Sequence, residues 1–272
     1  MSVSRQSGKR LKPKGNIMIE LDKIYNQDCL EGMRQIPDGS IDAVICDLPY
    51  GTTACAWDSV IPFDKLWEQY RRITKPNAAI VLFGSEPFSS HLRLSNLKWY
   101  RYDWIWKKGE TNTNFMNANK MPMGNHEVIS VFYRSLPTYN PQMRQGYQSY
   151  DKTKFVGNSD GVGESDVYGN YQRQYKPNNG ERFPLSVIDM SRDWKRQDAL
   201  HPTQKPVDLL RYLVLTYTNE GDTVLDNCMG SGTTAIACIK EKRHFIGFEL
   251  SKEYFDKAQR RIKAEQAQLT LW

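Results

Sequence analysis

Short apolar runs alternate along this chain with segments of helical spacing, and this alternation constrains the fold more than any other feature. The predicted strands are residues 41–46, 78–83, 100–106, 128–132, 223–226 and 244–248. The predicted longer helices are residues 63–74, 87–96, 206–218, 232–242 and 251–266. Strands that alternate with helices favour a mostly parallel sheet covered by helices on both faces. The sequence therefore predicts a doubly wound α/β fold, with two further short strands at 18–21 and 23–25 and a short helix at 28–35.

The middle of the chain differs from the rest. Residues 134–199 are rich in Tyr, Asn, Gly, Gln, Arg and Lys and show weak periodicity. We interpret them as an insertion between a first half at 17–133 and a second half at 200–272. Residues 1–16 carry five basic and few apolar side chains, which predicts a flexible basic tail rather than a specific DNA-contacting arm.

Composition limits the classes of protein to which the chain can belong. Its 272 residues are enough for one large domain with an insertion, and a net charge of +6 is compatible with a polyanionic partner. The five cysteines contain no C-x-x-C pair and there are only four histidines, so we expect free thiols, no metal and a reducing, cytoplasmic compartment. The sequence has no signal-peptide core and no run of about 20 apolar residues, so we expect no membrane partner.

A glycine turn between a strand and a helix predicts a cofactor site in the second half of the chain. Gly230-x-Gly232 follows the strand predicted at 223–226, and glycines let the backbone approach a ligand closely where the helix start offers free N–H groups. Glu249 ends the next strand, 23 residues after Asp226, where an acid can accept hydrogen bonds from ribose hydroxyls. The same pattern also suits a dinucleotide enzyme or a glycine turn without a ligand.

The tetrad Asp47-Leu48-Pro49-Tyr50, at the end of a predicted buried strand, is suited to chemistry on an aromatic amine. The Asp47 carboxylate and the Leu48 carbonyl can both accept hydrogen bonds from an exocyclic amine, and Pro49 restricts Leu48 to extended conformations. Tyr50 offers a flat face for a base. Two acceptors favour a more pyramidal and more reactive nitrogen, which is catalysis by positioning and electrostatics. The alternative for Asp47 is a capping or turn aspartate.

A base inside a duplex cannot reach such a pocket, so the tetrad also predicts base flipping. The loop from Gly51 to Ser59, which contains Trp57, follows the tetrad and is a candidate lid. Trp57 is equally compatible with a core anchor for that loop.

These motifs resemble those of the amino-group DNA methyltransferases that use S-adenosylmethionine. Residues 47–50 resemble the family's Asp-Pro-Pro-Tyr catalytic motif, and Val224–Thr233 resembles its cofactor motif. The order, with the catalytic motif first, resembles the beta group, and so do His201–Pro206 and Tyr25–Cys29. The resemblance covers most of residues 18–262 apart from the insertion, and it implies a Rossmann-like methyltransferase fold.

The resemblance also implies roles for individual residues. The catalytic residues would be Asp47, Leu48, Pro49 and Tyr50. The cofactor-binding residues would be Asp28, Cys29, Asp47, Thr203, Lys205, Asp226, Cys228, Gly230, Gly232, Thr233 and Glu249. Glu249 would hold the ribose, and Lys205 would lie near the adenine. Leu48 stands where the family has its first proline, and Asn227 and Cys228 stand where it often has Pro and Phe, which changes one wall of the cofactor site.

The interleaved basic and aromatic side chains of residues 134–199 resemble the family's target-recognition region, although composition alone fits a long solvated loop equally well. The predicted activity is methylation of N6 of adenine in duplex DNA, as in restriction-modification systems, because Asp rather than Ser opens the tetrad. Three alternatives remain at this stage: N4-cytosine methylation, methylation of RNA or of a protein amide, and a DNA-binding module without a working cofactor site. Beta-group relatives are often dimers, which makes a homodimer one expectation.

Overall fold

Ten strands and six α-helices form the part of the chain that the computed structural model describes. That part comprises residues 19–51, 58–110, 113, 115–149, 162–165, 169–172, 179–191 and 204–269. The strands are β1 (Lys23–Tyr25), β2 (Ile41–Cys46), β3 (Thr74–Gly84), β4 (Tyr100–Lys107), β5 (His126–Phe132), β6 (Val162–Ser165), β7 (Gly169–Gln172), β8 (Val187–Asp189), β9 (Thr223–Asp226) and β10 (His244–Phe248). The helices are α1 (Cys29–Met33), α2 (Phe63–Ile73), α3 (Phe88–Ser95), α4 (Val207–Tyr217), α5 (Thr233–Lys240) and α6 (Lys252–Leu269), with a short 3-10 helix at Phe115–Asn117.

Eight strands form one sheet in the order β1-β10-β9-β2-β3-β5-β4-β8. All neighbours run parallel except β5, which is antiparallel to both β3 and β4. The strands β6 and β7 form a separate antiparallel ribbon. The chain winds in one direction from β2 to β3 and in the other from β9 to β10. The gap between β2 and β9 is therefore the topological switch point, where ligands bind in open α/β sheets.

The two faces of the sheet carry separate apolar cores, which is why the strands are apolar on both sides. Ile45 of β2 contributes to a core with Leu213 of α4, Cys238 of α5 and Ala258 of α6. The neighbouring residues of β2, Val44 and Cys46, contribute to the opposite core with Met33 of α1, Trp67 of α2 and Leu92 of α3. This arrangement confirms the predicted doubly wound, mostly parallel sheet.

The structure departs from the sequence-based prediction in three places. No strand is present at residues 19–21, the described part of the first predicted strand. The strand β3 begins at Thr74, directly after α2, because pairing with β2 continues past an irregularity to Ile41. Within the segment interpreted as an insertion, β8 joins the main sheet as an edge strand, with Val187 paired to Ile105 of β4. Three residues are too few to show a strand period, so the sequence did not reveal β8.

Where the chain is described, none of its helices combines the length and the apolar character needed to cross a lipid bilayer.

Candidate active site

A cavity of about 380 Å³ opens at the switch point, where the carboxyl ends of β2 and β9 meet. The tetrad after β2 lines one side, and the glycine turn after β9 lines the other. Glu249, which follows β10, and Lys205, which precedes α4, also line the cavity. The fold thus brings two motifs about 180 residues apart in sequence to one cavity.

Asp47 is held by two side chains. The Tyr50 hydroxyl donates a hydrogen bond to Asp47 Oδ1 at 2.7 Å, and the Lys205 ammonium donates to Asp47 Oδ2. Burial raises the pKa of Asp47, while the Lys205 cation and the Tyr50 hydroxyl oppose that rise. Burial alone would lower the pKa of Lys205, but the Asp47 and Glu127 anions raise it overall. A carboxylate offers about four acceptor positions, so Asp47 keeps capacity for a further N–H donor.

The remaining tetrad residues are arranged around the same corner of the cavity. The Tyr50 ring stacks on Phe88 of α3, with centroids 4.9 Å apart and 29° between the planes. Burial raises the pKa of Tyr50 well above its ordinary value, so the hydroxyl stays protonated as the donor to Asp47. The Leu48 side chain lies in the core, at 4% exposure, while Leu48 and Pro49 both line the cavity.

Two charged residues that the sequence reasoning missed extend from Asp47 away from the cavity. Lys205 Nζ lies 3.2 Å from Glu127 Oε2, and Lys108 Nζ lies 2.5 Å from Glu127 Oε1. Glu127 belongs to β5, and Lys108 follows β4. The resemblance implied a place for Lys205 near the cofactor adenine; in the structure its ammonium pairs with Asp47. The available sequence signal was Glu127 itself, a charged residue directly before the apolar run Val128–Ile129 at the start of β5.

On the cofactor side, Asp226 and Glu249 are held by backbone and hydroxyl donors. Asp226 Oδ1 accepts from the Cys228 N–H at 3.0 Å and Oδ2 from the Thr234 hydroxyl at 2.6 Å. Burial raises the pKa of Asp226 to about 6, and these hydrogen bonds oppose it. Glu249 Oε2 accepts from the Gly230 N–H and Oε1 from the Ser251 N–H, both at 2.8 Å. Burial also raises the pKa of Glu249.

The two glycines of the turn have different surroundings. Gly230, with φ of 54°, lines the cavity. Gly232, with φ of 82°, begins α5 and does not line the cavity. A Cβ atom on Gly232 would lie 3.2 Å from the Ala258 Cβ of α6, so its small size allows α5 and α6 to approach closely. Thr233 lines the cavity and accepts a hydrogen bond from Arg261 at 3.0 Å.

Asp28, Cys29 and Cys228 also line the cavity. Asp28 Oδ1 caps α1 by accepting from the Leu30 N–H at 2.9 Å. Contact with Cys228, together with burial, raises the pKa of Cys29, and the pKa of Cys228 is also well above its ordinary value, so both thiols are protonated at neutral pH. Neither has the lowered pKa of a nucleophilic cysteine.

Parts of the predicted site lie outside the described residues. These parts are Thr203, Trp57 and most of the loop from Gly51 to Ser59. The two ends of that loop are tied together, because the Gly51 N–H donates to Asp58 Oδ1 at 2.8 Å.

Most basic and aromatic side chains of residues 134–199 also lie outside the described part. Arg144 and Arg182, which are described, both place their guanidinium groups over the Tyr147 ring, at 5.2 and 5.3 Å from its centroid. Arg144 and Arg182 also pair through an isolated antiparallel β-bridge, so the ring contacts and the bridge join the two segments of chain.

The chain is similar to several known proteins. The chain is 28% identical over 270 residues to the type II methyltransferase M.BglII of Bacillus subtilis, covering 90% of this chain and 70% of that protein. The crystal structure of the M1.HpyAVI–SAM complex matches with a TM-score of 0.58 and 23% identity, covering 88% of this chain and 98% of that one. The PvuII DNA methyltransferase, described as cytosine-N4-specific, matches with a TM-score of 0.60 and 15% identity, covering 89% of this chain and 90% of that one.

The two solved structures establish the shared Rossmann-like fold. The family model described as DNA methylase goes further, because it matches residues 41–260, from β2 into α6. That range contains the tetrad, the glycine turn and Glu249. The chain therefore belongs to the DNA methylase family of N6/N4 methyltransferases.

Proposed function

We propose that this protein transfers a methyl group from S-adenosylmethionine to N6 of adenine in duplex DNA. The observation that carries the proposal is the position of Asp47, a carboxylate only 23% exposed and with spare acceptor capacity, which faces the same cavity as the glycine turn and Glu249. A planar amine can be held at the tetrad while the cofactor is held on the opposite side.

The residues of the cofactor side fit a nucleoside bearing a sulfonium. Each Glu249 oxygen accepts one backbone N–H and retains a lone pair for a ribose hydroxyl. Asp226 adds negative charge to the wall that would face the positive sulfur. The bound cofactor supplies an electrophilic methyl group on that sulfur.

The residues of the chemical side act on the target amine. Asp47 and the Leu48 carbonyl accept hydrogen bonds from its two N–H groups, which orients the nitrogen lone pair towards the cofactor side of the cavity. Methyl transfer would form an N–C bond as the C–S bond of the cofactor breaks, and the amine would then release one proton. Asp47, which holds one of its N–H groups, is placed to accept that proton. The base stacks on the face of Tyr50 opposite Phe88, which supports its ring in one orientation.

Base flipping follows from this arrangement, because the amine of a paired base cannot reach Asp47 inside a cavity. Duplex DNA is the proposed partner, and residues 134–199 are proposed to read its sequence, in keeping with their basic and aromatic side chains. We further propose action on DNA in the cytoplasm within a restriction-modification system, since M.BglII is a type II methyltransferase. A homodimer is proposed on the same family grounds.

N4-cytosine methylation is the second candidate, and the match to the cytosine-N4-specific PvuII enzyme favours it. Adenine is preferred because Asp, rather than Ser, opens the tetrad. The test is transfer of labelled methyl from S-adenosylmethionine to unmethylated duplex DNA, followed by digestion and separation of nucleosides. Label in N6-methyladenine is expected. Label in N4-methylcytosine would replace the adenine assignment, and absence of label from DNA, with S-adenosylmethionine still bound, would overturn the proposal.

A further inference from the structure

Four charged side chains of alternating sign extend in a row from the cavity into the protein. Asp47 contacts Lys205, Lys205 Nζ lies 3.2 Å from Glu127 Oε2, and Glu127 Oε1 lies 2.5 Å from Lys108 Nζ. The side chains of Lys205, Lys108 and Glu127 are only 7%, 6% and 13% exposed. We name Asp47, Lys205, Glu127 and Lys108 the charge row. Its members come from four separate parts of the fold.

Stability alone is a poor explanation for the charge row. Burying ions costs several kcal/mol each, and apolar residues of similar volume often replace buried ion pairs with no loss of stability. The row ends on the carboxylate that faces the amine to be methylated. A role in setting the ionisation of Asp47 accounts for both the cost of burying these ions and the position of the row beside the cavity.

The contacts indicate how each member acts. Lys205 lies between two carboxylates, so Glu127 competes with Asp47 for its ammonium. Glu127 Oε2 has no well-aligned hydrogen bond among the described residues despite its closeness to Lys205, so it acts on the lysine as a charge. Aromatic rings flank both ammonium groups, with Lys205 Nζ 5.1 Å from the Phe83 centroid and Lys108 Nζ 5.3 Å from the Trp106 centroid. These rings restrict where the cations can move.

We propose that Glu127 and Lys108 are positioning residues for methyl transfer, which act on Asp47 through Lys205. The inference rests on the proposed role of Asp47 as acceptor of the target amine. Glu127 shares the Lys205 ammonium with Asp47 from the far side, at 3.2 Å, and so weakens the hold of that cation on the Asp47 charge. Lys108 neutralises part of the Glu127 charge. Glu127 therefore does not replace Asp47 as the ion-pair partner of Lys205.

The charges facing Asp47 give the sign of the effect on pH dependence. Lys205 and the Tyr50 hydroxyl lower the pKa of Asp47, and the Glu127 anion raises it. Among the described residues, Asp226 and the protonated Cys46 thiol are also titratable groups close to it. Loss of the Glu127 charge should therefore lower the pKa of Asp47, and loss of the Lys108 cation should raise it. Methyl transfer needs ionised Asp47. The acid limb of the pH–rate profile, where the rate rises with pH, therefore moves with that pKa.

The experiment is single-turnover methyl transfer to duplex DNA between pH 5 and 9 for Glu127→Gln, Lys108→Met and the double variant. We expect the acid limb to move down by about one pH unit in Glu127→Gln and up by a smaller amount in Lys108→Met. The double variant, which removes one charge of each sign, should return the limb towards the wild-type position. Each single variant should lose about tenfold in rate, while S-adenosylmethionine affinity, measured by calorimetry, changes less than about twofold.

Two controls separate this role from a structural one. Lys107→Met removes the adjacent lysine, which pairs at 2.7 Å with Asp189 and is 38% exposed, and it should leave rate and limb unchanged. Lys108→Arg keeps the charge and should keep the wild-type limb. The inference would be overturned if the acid limb stayed at the wild-type pH in all variants and the rates fell only in proportion to the fraction of folded protein. Absence of transfer by the wild-type protein would instead refute the proposed function.

If Glu127→Gln does not fold, the charge-balanced double variant and Lys108→Met still decide the matter. A limb that moves up in Lys108→Met and returns in the double variant supports the charge row. A limb that stays at the wild-type position in both contradicts it.

Discussion

The two sides of the cavity hold their carboxylates in different ways. On the cofactor side, neutral donors from nearby in sequence hold the acids: Glu249 accepts from Gly230 and Ser251, 19 and 2 residues away. On the chemical side, Asp47 accepts from the nearby Tyr50 hydroxyl but also pairs with a cation 158 residues away in sequence. Neutral dipoles orient a carboxylate and leave its charge for a ligand. An ion pair also changes the charge state, which matters where a carboxylate takes part in a reaction.

The largest expected effect comes from breaking the ion pair on the chemical side. Lys205→Met removes a buried cation from between the Asp47 and Glu127 carboxylates, which are 23% and 13% exposed, and removing one partner of a buried pair costs up to about 3–5 kcal/mol in the free energy of unfolding. Methyl transfer should fall to background. Urea unfolding measures the first effect and labelled methyl transfer the second.

Lys75→Met is the matched control for that variant. Lys75 pairs with Asp42 at 2.6 Å but is 41% exposed, so its loss should cost about 0–1 kcal/mol. Equal, small losses of stability in both variants would mean that the Lys205 pair is no different from a surface pair.

On the cofactor side, neutral dipoles compensate only partly for burial of the Asp226 carboxylate. The pKa of Asp226 in the folded protein is about 6, above its ordinary value of 3.8. Its stabilising contribution is therefore complete below pH 3.8 and is lost as the pH rises through about 6. Relative to Asp226→Asn, which does not titrate, the wild-type protein should lose up to about 3 kcal/mol over this range.

Urea unfolding at several pH values measures that difference. A gap between wild type and Asp226→Asn that does not change with pH would show that Cys228 and Thr234 compensate fully for burial of the carboxylate.

A smaller effect is expected from Glu249→Gln. The amide keeps the shape of the side chain but loses the charge that strengthens a hydrogen bond to a ribose hydroxyl, so S-adenosylmethionine affinity should fall about tenfold. Titration calorimetry measures it. Glu253→Gln on α6, where Glu253 is 70% exposed and pairs with Lys257, should bind as the wild type does. An unchanged affinity in Glu249→Gln would remove Glu249 from the cofactor site.

The smallest effect is expected from Tyr50→Phe. The ring and its stack on Phe88 remain, but the hydroxyl that donates to Asp47 at 2.7 Å is lost. Such a hydrogen bond contributes about 1 kcal/mol, so the single-turnover rate should fall about fivefold with cofactor affinity unchanged. Tyr50→Ala also removes the stacking face and should lose considerably more rate. Equal rates for the two variants would contradict a stacking role for Tyr50.

The same comparison explains what the sequence could predict. The glycine turn, Asp226 and the tetrad are local patterns at strand ends, and the alternation of strands and helices places strand ends at one edge of the sheet. Glu127 and Lys108 lie near Asp47 because of where β5 and β4 stand in the sheet. No local sequence pattern specifies which strands are neighbours there. The packing role of Gly232 likewise depends on where α6 lies.

The central claim is that Asp47 performs chemistry on the target amine while the opposite side of the cavity binds the cofactor. Asp47→Ala tests it most directly, with S-adenosylmethionine binding measured by calorimetry beside single-turnover methyl transfer to duplex DNA. We expect cofactor affinity within about threefold of wild type and a rate reduced by on the order of 10³-fold or more. Equal loss of cofactor binding and transfer, with the protein still folded, would contradict the account.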